Sequence, residues 1–500
     1  MICQPERATQ YKVLQTLQGL GYRYLGNWRQ DDEERARKSP IEREWLAGWL
    51  RERGEYTEEE IGKALLAVEA CVVTGRRNLA QANREMYRLL YHGVQVEAGA
   101  GEPTRTVRLI DWEHPERNEY GVAEEVSMRR VAGKTRRPDV VLYINGIAFA
   151  VLELKKTNEL VAEGIRQNLT NQRPGEIPYF FTSIQLVMAG TENEGLRYGV
   201  AGTPEKYFLS WKRDPQDDPR THLLEHVEAL CGKETILELA YDFMVWHRGA
   251  KKVARQNQYH GIKAAQAFVR RREGGIIWHT QGSGKSLMMV WLAKWILRSN
   301  PAARVFIITD RVELDEQIED NFRSAEMTEV YRTRNGGDLV RQLDNATYPV
   351  VCTLIQKFRG VGQELTERDV DDFVQQMQSS IPTNFSVKGD VHVFVDECHR
   401  SESGKLKKAM DLFLKNGVYY GFTGTPILSI DKKNTLAIFG DFIHCYKFDE
   451  AVRDGVVLDL LYESRFIGQR VTDKRRLDAL FAVITRGKSA EAVRRIKAEW

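Results

Sequence analysis

The chain lacks the features that would mark a secreted, zinc-binding or membrane protein. Its six cysteines are scattered without C-x-x-C pairs, at Cys3, Cys71, Cys231, Cys352, Cys398 and Cys445. This spacing argues against a zinc site or a disulfide framework and favours a reducing compartment. The first residues contain no apolar segment typical of a signal peptide, and no later apolar run approaches membrane-spanning length. We therefore expect a soluble, cytoplasmic protein.

Net charge is also small, because 73 basic and 70 acidic residues leave +3 at pH 7. Any affinity for nucleic acid must therefore come from local basic surfaces, since the overall field is too weak to supply it. The composition, with 42% hydrophobic and 29% charged residues, is that of a globular protein and excludes a disordered one. A chain of 500 residues is too long for one core, so two or three domains are expected.

A phosphate-binding loop is predicted where the apolar run Ile276-Ile277-Trp278 enters the turn Thr280-Gln281-Gly282-Ser283-Gly284-Lys285-Ser286 and a helical pattern follows. The turn residues Thr280, Gly282, Ser283 and Gly284 would surround phosphates with backbone N–H groups. Lys285 would reach the β- and γ-phosphates, and the Ser286 hydroxyl would ligate Mg²⁺. His279 stands where the general P-loop pattern has its first glycine. A flexible surface turn is the alternative interpretation.

Further motifs follow at the ends of predicted strands. The strands at 305–308 and 350–352 end in Thr309-Asp310-Arg311 and Thr353, and the strand at 391–395 ends in Asp396-Glu397-Cys398-His399. Asp396 would hold Mg²⁺ through water, and Glu397 would orient and deprotonate the attacking water. The strand at 419–422 leads into Thr423-Gly424-Thr425-Pro426. Because ligands bind at the carboxyl ends of strands in open α/β sheets, these motifs should meet at one edge.

Gln258 is a candidate to bind the adenine edge ahead of this loop, because a carboxamide can donate and accept at the same time. Helix capping is an equally good explanation of its position. The basic residues Arg270, Arg271 and Arg272 near the loop entry would either follow DNA or cap a helix C-terminus.

A second constellation lies in the predicted hairpin at 139–155, where two β-rich runs flank Asn145-Gly146. Asp139 begins the first strand, and Glu153 and Lys155 share a face at the end of the second. Two carboxylates can hold Mg²⁺ while the ammonium orients or activates a water, as metal-assisted phosphodiester hydrolysis requires. An ordinary hairpin that ends in a Lys-rich turn is the alternative.

Geometry places a condition on the nuclease interpretation. A regular two-residue turn would set Asp139 opposite Leu152 and leave Glu153 facing away, because side chains alternate along a strand. The hypothesis therefore predicts an odd-length loop or a bulge, with Gly146 at positive φ. Glu85 is a candidate for a further acid. Five basic residues before the hairpin suit either phosphate contacts or a solvated surface: Arg129, Arg130, Lys134, Arg136 and Arg137.

Local patterns predict additional elements. Helices are expected at 42–53, at 57–70 with a capping box at Thr57-Glu58-Glu59-Glu60, at 79–90, at 159–169 and at 236–246. Strands are expected at 179–181 and 184–189, and a polar surface loop at 213–220.

With these motifs in hand, the chain resembles the restriction (R) subunits of type I restriction enzymes, and the resemblance extends over essentially all 500 residues. It implies an α/β protein in which a PD-(D/E)xK restriction-endonuclease-like domain precedes a RecA-like P-loop ATPase lobe with a parallel sheet. Asp139, Glu153 and Lys155 would be the nuclease residues. The ATPase region would be a superfamily 2 translocase that uses ATP and Mg²⁺. Its residues would include Lys285, Asp396, Glu397, His399 and the segment 423–426.

The resemblance also carries departures. The family's helical Q-x-x-x-Y element would start at Gln167, but Asn171 stands at the tyrosine position. The expected domains are an N-terminal endonuclease domain at 1–240, a linker at 241–258, a first RecA-like lobe at 259–455 and the start of an incomplete second lobe at 456–500. Without the second lobe's arginines we expect this chain to bind ATP but to hydrolyse it poorly and not to translocate.

Three functions remain open from the sequence. The first is ATP-dependent translocation coupled to Mg²⁺-dependent cleavage of unmethylated double-stranded DNA, in a complex with methyltransferase and specificity subunits. The second is a repair helicase–nuclease without methylase partners. The third is an ATP- and DNA-binding module without turnover.

Overall fold

A computed structural model describes most of the chain. The described residues are 6–72, 78–97, 103–212, 222–309, 312–325, 327, 329–345, 347–354, 372, 375, 378–383, 385–398, 416–425, 436, 439–459 and 474–499. Tertiary contacts divide the chain into one unit from Met1 to Val457 and another from Leu458 to Trp500. Within the described ranges, no helix is long and apolar enough to cross a membrane.

The N-terminal part of the first unit is built around a mixed seven-stranded sheet with the order β1-β4-β7-β8-β9-β10-β11. Its strands and the short hairpins beside it are β1 Arg23–Asn27, β2 Val94–Glu97, β3 Thr104–Val107, β4 Tyr120–Glu124, β5 Met128–Arg129, β6 Thr135–Arg136, β7 Val140–Ile144, β8 Ile147–Leu154, β9 Leu186–Thr191, β10 Gly195–Gly199, β11 Leu209–Ser210, β12 Met244–His247 and β13 Ala250–Val253. The helices are α1 Glu6–Gly19, α2 Arg43–Glu52, α3 Glu58–Cys71, α4 Leu79–His92, α5 Val161–Asn171, α6 Leu223–Cys231 and α7 Lys233–Asp242.

The following part contains a second seven-stranded sheet, and each pair of neighbouring strands in it is parallel, in the order β16-β17-β15-β18-β19-β14-β20. The strands are β14 Gly275–His279, β15 Ala303–Thr309, β16 Val330–Arg332, β17 Val350–Leu354, β18 Asp390–Asp396, β19 Val418–Thr423 and β20 Phe442–Tyr446. The helices are α8 Gln256–Arg271, α9 Lys285–Ser299, α10 Val312–Ser324, α11 Gly336–Asp344 and α12 Phe448–Arg453. The predicted α/β class, with a parallel sheet after the nuclease-like region, is confirmed.

Aromatic side chains connect these two parts of the first unit. Trp211, which follows β11, packs 5.2 Å from Tyr259 of α8 between ring centroids, and Tyr259 lies 4.8 Å from Phe243. Phe243 in turn contacts Trp291 of α9 at 6.4 Å. Large aromatic rings bury much apolar surface, so this chain of contacts extends one hydrophobic core from the first sheet to the helix behind the phosphate-binding loop.

Several predicted elements are confirmed, and two are wrong. The helix at 57–70 is α3, and its capping box is formed by Thr57 and Glu60. Residues 179–181 do not form a strand, because Phe180–Thr182 is a 3₁₀ turn. The predicted helix at 236–246 ends at Asp242, and Met244–His247 becomes β12 because it pairs with β13. The loop at 213–220 lies outside the described residues.

The predicted domain boundaries stay a prediction. Residues 241–258 contain the end of α7, the β12–β13 hairpin and the start of α8. In the second unit, the described residues form α13 Lys474–Thr485 and α14 Ala490–Glu499.

Candidate nuclease and nucleotide sites

The β7–β8 hairpin contains the bulge that the nuclease hypothesis requires. Ile144 pairs with Ile147 across the turn, where Asn145 has φ 52° and Gly146 has φ 80°. The register then shifts: Tyr143 pairs with Ala148, but Leu142 pairs with Ala150, so Phe149 is the extra residue. Since Val140 pairs with Leu152, the next position of each strand sets Asp139 beside Glu153. One bulged residue thus turns Glu153 to the face that carries Asp139.

Both carboxylates are buried and each has one oxygen bound by a neighbouring N–H group. Asp139 is 8% exposed, and its Oδ2 accepts a 2.7 Å hydrogen bond from the Leu154 backbone. Glu153 is fully buried, and its Oε2 accepts from Gln167 Nε2 at 2.8 Å. Lys155 is half-buried and its Nζ donates to the Leu154 carbonyl at 3.0 Å. A pair of carboxylates fits Mg²⁺, which is commonly held by one or two carboxylates with water in the remaining positions.

Helix α5 supports this pair from the Glu153 side. Gln167 binds Glu153 directly although Asn171, also buried, occupies the tyrosine position of the family element. Gly164 lets α5 approach closely, because a Cβ there would lie 3.2 Å from the Ala189 Cβ and 3.5 Å from the Glu153 carbonyl oxygen. The glutamine of the element is therefore in place in this chain without its tyrosine.

One residue near Asp139, Gln10, was not found from the sequence. Gln10 of α1 donates from Nε2 to the Asp139 carbonyl at 3.1 Å and to Glu124 Oε2 at 3.2 Å. Gln10 is 4% exposed and shares the buried side of α1 with Val13, Leu14 and Leu17. A polar residue at helical spacing from three core residues is the signal that could have found it.

The basic residues before the hairpin are partly neutralised. Arg130 and Arg136 both bind Glu176, each with a closest distance of 2.7 Å, and these arginines, Arg136 first, lower the pKa of Glu176. Arg137 lies 3.8 Å from Asp31. The candidate Glu85 lies on α4, which packs against the 180–182 turn and β13. Its role as a metal ligand stays a prediction.

The second site has the geometry of a phosphate-binding loop. Gly282 and Gly284 have φ values of 83° and 89°, which residues with a side chain adopt only under strain. Thr280 donates its backbone N–H to the Tyr446 carbonyl at 2.9 Å, and its own carbonyl accepts from Ser283 Oγ at 2.6 Å. These contacts fix the loop, and α9 begins at Lys285 with Ser286 in its first turn, so the N–H groups of a 15-residue helix point toward the loop.

Gln258 contacts this loop and caps its own helix. Its Oε1 accepts from the Arg255 backbone at 2.9 Å, and its Nε2 donates to the Ser283 carbonyl at 2.8 Å. The capping explanation is therefore observed, while adenine binding by Gln258 stays a prediction. Arg272 is the C-cap residue of α8, in a left-handed conformation, as the capping alternative to a DNA contact expects. Its guanidinium also binds Asp390 at 2.7 Å.

The buried His279 contacts the half-buried His444, a pair that the sequence did not indicate. His279 Nε2 lies 2.8 Å from His444 Nδ1, since β14 and β20 are neighbours with His279 opposite Tyr446. Burial lowers the pKa of His279 well below its ordinary value, and it lowers the pKa of His444 to about 4. Both rings are thus held neutral directly behind the loop.

The remaining motor residues meet at the same edge of the sheet. Asp396 ends β18 opposite Phe422 of β19, and Thr423 at the end of β19 lies opposite Trp278 of β14. Burial raises the pKa of the Cys398 thiol; Glu397 and Asp396 raise it further, whereas Lys285 lowers it, so all three charges act on one buried group.

Glu397 has φ 48°, a strained conformation of the kind often found at functional sites. Ser286 and Asp396 supply oxygen atoms of the type that Mg²⁺ prefers. His399, Pro426, Asp310 and Arg311 lie outside the described residues.

Comparisons with known proteins agree with this arrangement. Residues 3–206 match the family of type I restriction enzyme R protein N termini, and residues 257–494 match the SWI2/SNF2 ATPase family. The resemblance to type I restriction subunits is confirmed. The SWI2/SNF2 match further indicates that the second region uses a nucleotide.

Two relatives show the extent of this similarity to type I restriction subunits. The MjaIXP endonuclease subunit of Methanocaldococcus jannaschii is 28% identical over 92% of this chain and 46% of that protein. The type I restriction enzyme HindI endonuclease subunit of Haemophilus influenzae is 27% identical over 94% and 47%. This chain therefore spans about half the length of these relatives. A Sulfolobus solfataricus SWI2/SNF2 ATPase core solved with double-stranded DNA is 14% identical, with a TM-score of 0.30 over 40% of this chain and 37% of that one.

Proposed function

We propose that this chain supplies the DNA-cleaving and ATP-binding part of a type I restriction endonuclease. In the whole enzyme, this part would cleave unmethylated double-stranded DNA with Mg²⁺, and the cleavage would be coupled to ATP-driven translocation by that enzyme. The partners would be methyltransferase and specificity subunits, in the cytoplasm where the DNA is found. The observation that carries the proposal is the bulge at Phe149, which brings Asp139 and Glu153 to one face as a nuclease requires.

The chemistry of the first site follows from its side chains. Asp139 and Glu153 would hold Mg²⁺, which polarises the scissile phosphate when it is bound. Lys155 would orient or activate the attacking water, and Gln167 would fix the direction of the Glu153 carboxylate through its 2.8 Å hydrogen bond. Arg130 and Arg136 lie on the strand hairpin that leads to Asp139, where they would exchange Glu176 for DNA phosphate.

The second site would bind ATP and Mg²⁺. Gly282, Ser283 and Gly284 would present backbone N–H groups to the phosphates, and Lys285 would neutralise them. Ser286 and Asp396 would hold the metal, and Glu397 would orient the attacking water. The segment that begins at Thr423 would pass changes at the nucleotide to the rest of the motor, since Gly424 lies directly against Lys285 and Gln281.

Nicking of supercoiled DNA tests the proposal. The chain would be compared with Asp139→Ala and Lys285→Ala, with and without the methyltransferase and specificity subunits, ATP and Mg²⁺. We expect cleavage to require the partners and ATP, and each substitution to abolish it. Cleavage that depends on Asp139 alone and ignores the partners would leave the nuclease assignment standing but would overturn its coupling to the ATPase. Cleavage that depends on both residues but not on the partners would favour the repair helicase–nuclease. Nucleotide binding without any cleavage would favour a binding module.

A further inference from the structure

The β12–β13 hairpin, which precedes the motor region, carries a buried lysine that contacts the nuclease region. Lys251 is 7% exposed and pairs with Trp246 across the hairpin. Its Nζ lies 4.5 Å from the Tyr87 ring centroid, donates to Asn83 Oδ1 at 3.2 Å and donates to Gln185 Oε1. Burial lowers the pKa of Lys251, and such a buried amine is retained only where partners compensate for the lost water.

The two amide partners of Lys251 hold one short segment, residues 183–185. Asn83 Nδ2 lies 3.0 Å from the carbonyl oxygens of Thr182 and Ile184, which flank Ser183. Gln185 Nε2 donates to the Ser183 carbonyl at 2.7 Å. Lys251 thus orients both carboxamides by binding their oxygen atoms, and the carboxamides in turn fix the backbone between the 3₁₀ turn and β9.

This segment binds the bulge itself. Ser183 Oγ donates to the Ala148 carbonyl at 2.6 Å, and the Gln185 backbone N–H donates to the Phe149 carbonyl at 2.7 Å. A bulged residue leaves the ladder between its two strands, so its buried polar groups need other partners. Residues 183–185 supply those partners for the two residues at which the register of β7 and β8 shifts.

We infer that Lys251 is a positioning residue for the nuclease carboxylates: through residues 183–185 it holds the bulge that keeps Glu153 on the face of Asp139. The inference rests on the proposed function, because it concerns the same Mg²⁺ site. It also implies that a hairpin immediately before the motor helix α8 sets the geometry of the cleavage site. A shift of this hairpin would change the cleavage site without any contact between Lys251 and the substrate.

The test compares Lys251→Met with Lys252→Met in the full chain. Lys252 is the neighbouring, half-buried residue on the other side of the same hairpin, and its Nζ contacts His247 at 2.8 Å. Electron paramagnetic resonance would measure Mn²⁺ binding, and DNA nicking would be measured in the presence of the partner subunits. Binding of a fluorescent ATP analogue would show whether the fold is intact. We expect Lys251→Met to weaken Mn²⁺ binding and nicking about tenfold, with analogue binding unchanged, in the range seen when outer-shell partners of metal ligands are removed.

Gln185→Leu and the double variant complete the test. Because Lys251 acts partly through Gln185, the double variant should lose less Mn²⁺ affinity than the two single variants added together. Unchanged Mn²⁺ binding in Lys251→Met overturns the inference, as does an equal loss in Lys252→Met or a parallel loss of analogue binding. Asp139→Ala separates the two proposals: Mn²⁺ binding that does not depend on Asp139 overturns the nuclease assignment and this inference together, whereas the other outcomes leave the assignment standing.

Discussion

Gly424 illustrates how closely single residues of the nucleotide site approach one another. A Cβ at this position would lie 2.7 Å from Lys285 Nζ, 3.1 Å from the Gln281 nitrogen and 3.3 Å from the Gln281 Cα. Gly424→Ala should therefore displace Lys285 or the loop. We expect about tenfold weaker binding of a fluorescent ATP analogue, which corresponds to about 1.4 kcal/mol.

A glycine in open space provides the control for this substitution. A Cβ at Gly62, within α3, meets no atom within 4 Å, so Gly62→Ala should leave analogue binding unchanged and stabilise the helix slightly. Equal analogue affinity in Gly424→Ala and the wild-type chain would show that the motif does not constrain Lys285.

In both sites, the residues that could be predicted were those that belong to sequence motifs with a fixed spacing. Asp139, Glu153, Gly282 and Gly284 belong to short patterns that need particular backbone geometry, so sequence alone could indicate them. Gln10, His444 and Lys251 could not be predicted in the same way, because each acts through a partner more than 100 residues away or on another element. Their side chains become informative only when the fold brings them together.

At the scale of elements, the β7–β8 turn fixes the register that the bulge then changes. A Cβ at Gly146, at φ 80°, would lie 2.9 Å from both the Glu42 carbonyl oxygen and the Leu46 nitrogen. Gly133 has a similar φ of 84° in the β5–β6 hairpin, but nothing lies within 4 Å. Gly133→Ala should lower the free energy of unfolding by about 1 kcal/mol from backbone strain alone.

Gly146→Ala should lower the free energy of unfolding by at least about 1 kcal/mol more than Gly133→Ala does, because overpacking adds to the same backbone strain. Urea unfolding of both variants measures the difference. Equal losses would show that the turn can move away from α2 without cost.

The adjacent ends of β14 and β20 predict a pH dependence of stability. Folding lowers the pKa of His444 from 6.5 to about 4, so below pH 6.5 the unfolded chain binds a proton that the folded chain does not. The folded state is therefore favoured fully above pH 6.5 and loses stability as the pH falls toward 4. From pH 7 to pH 5 this residue should account for about 1 to 2 kcal/mol of lost stability.

His444→Gln keeps a hydrogen-bonding side chain beside His279 but cannot be protonated in this range. Its free energy of unfolding should fall less between pH 7 and pH 5 than that of the wild-type chain, as measured by urea titration. Identical pH slopes would mean that folding does not lower the pKa of His444.

Elements were predictable where one local pattern dominated. The capping box at Thr57 and Glu60 and the strand ahead of the loop needed no distant partner. The bulge could be required by the nuclease hypothesis but not located, because Phe149 is identified only by its pairing with β7. Residues 244–247 have a helical pattern, yet they form β12 since tertiary pairing with β13 overrides local preference.

At the scale of the whole molecule, the two sheets of the first unit are connected by a buried ion pair as well as by the aromatic contacts. Lys212, 4% exposed after β11, forms a buried ion pair with Asp454 at the end of α12, and Tyr446 donates its hydroxyl to the same carboxylate at 2.9 Å. Such joints could not be predicted from sequence, because neither charge belongs to a motif and the partners are 242 residues apart.

This pair gives a prediction for stability. Lys212→Met leaves the Asp454 carboxylate buried without its cation, and breaking a buried pair in this way typically costs about 3 to 5 kcal/mol. The exposed pair of Arg166 and Glu205 is the comparison, and Arg166→Met should cost far less than Lys212→Met because solvent screens that pair. Urea unfolding provides both values.

The double variant Lys212→Met/Asp454→Asn separates the charge from the packing. The introduced carboxamide would still accept the Tyr446 hydroxyl, and no buried charge would remain, so most of the stability lost in Lys212→Met should return. If Lys212→Met is as stable as Arg166→Met, water reaches Asp454 and the ion pair does not fasten the two sheets. If the double variant is as unstable as Lys212→Met, the unpaired charge of Asp454 is not the source of the lost stability.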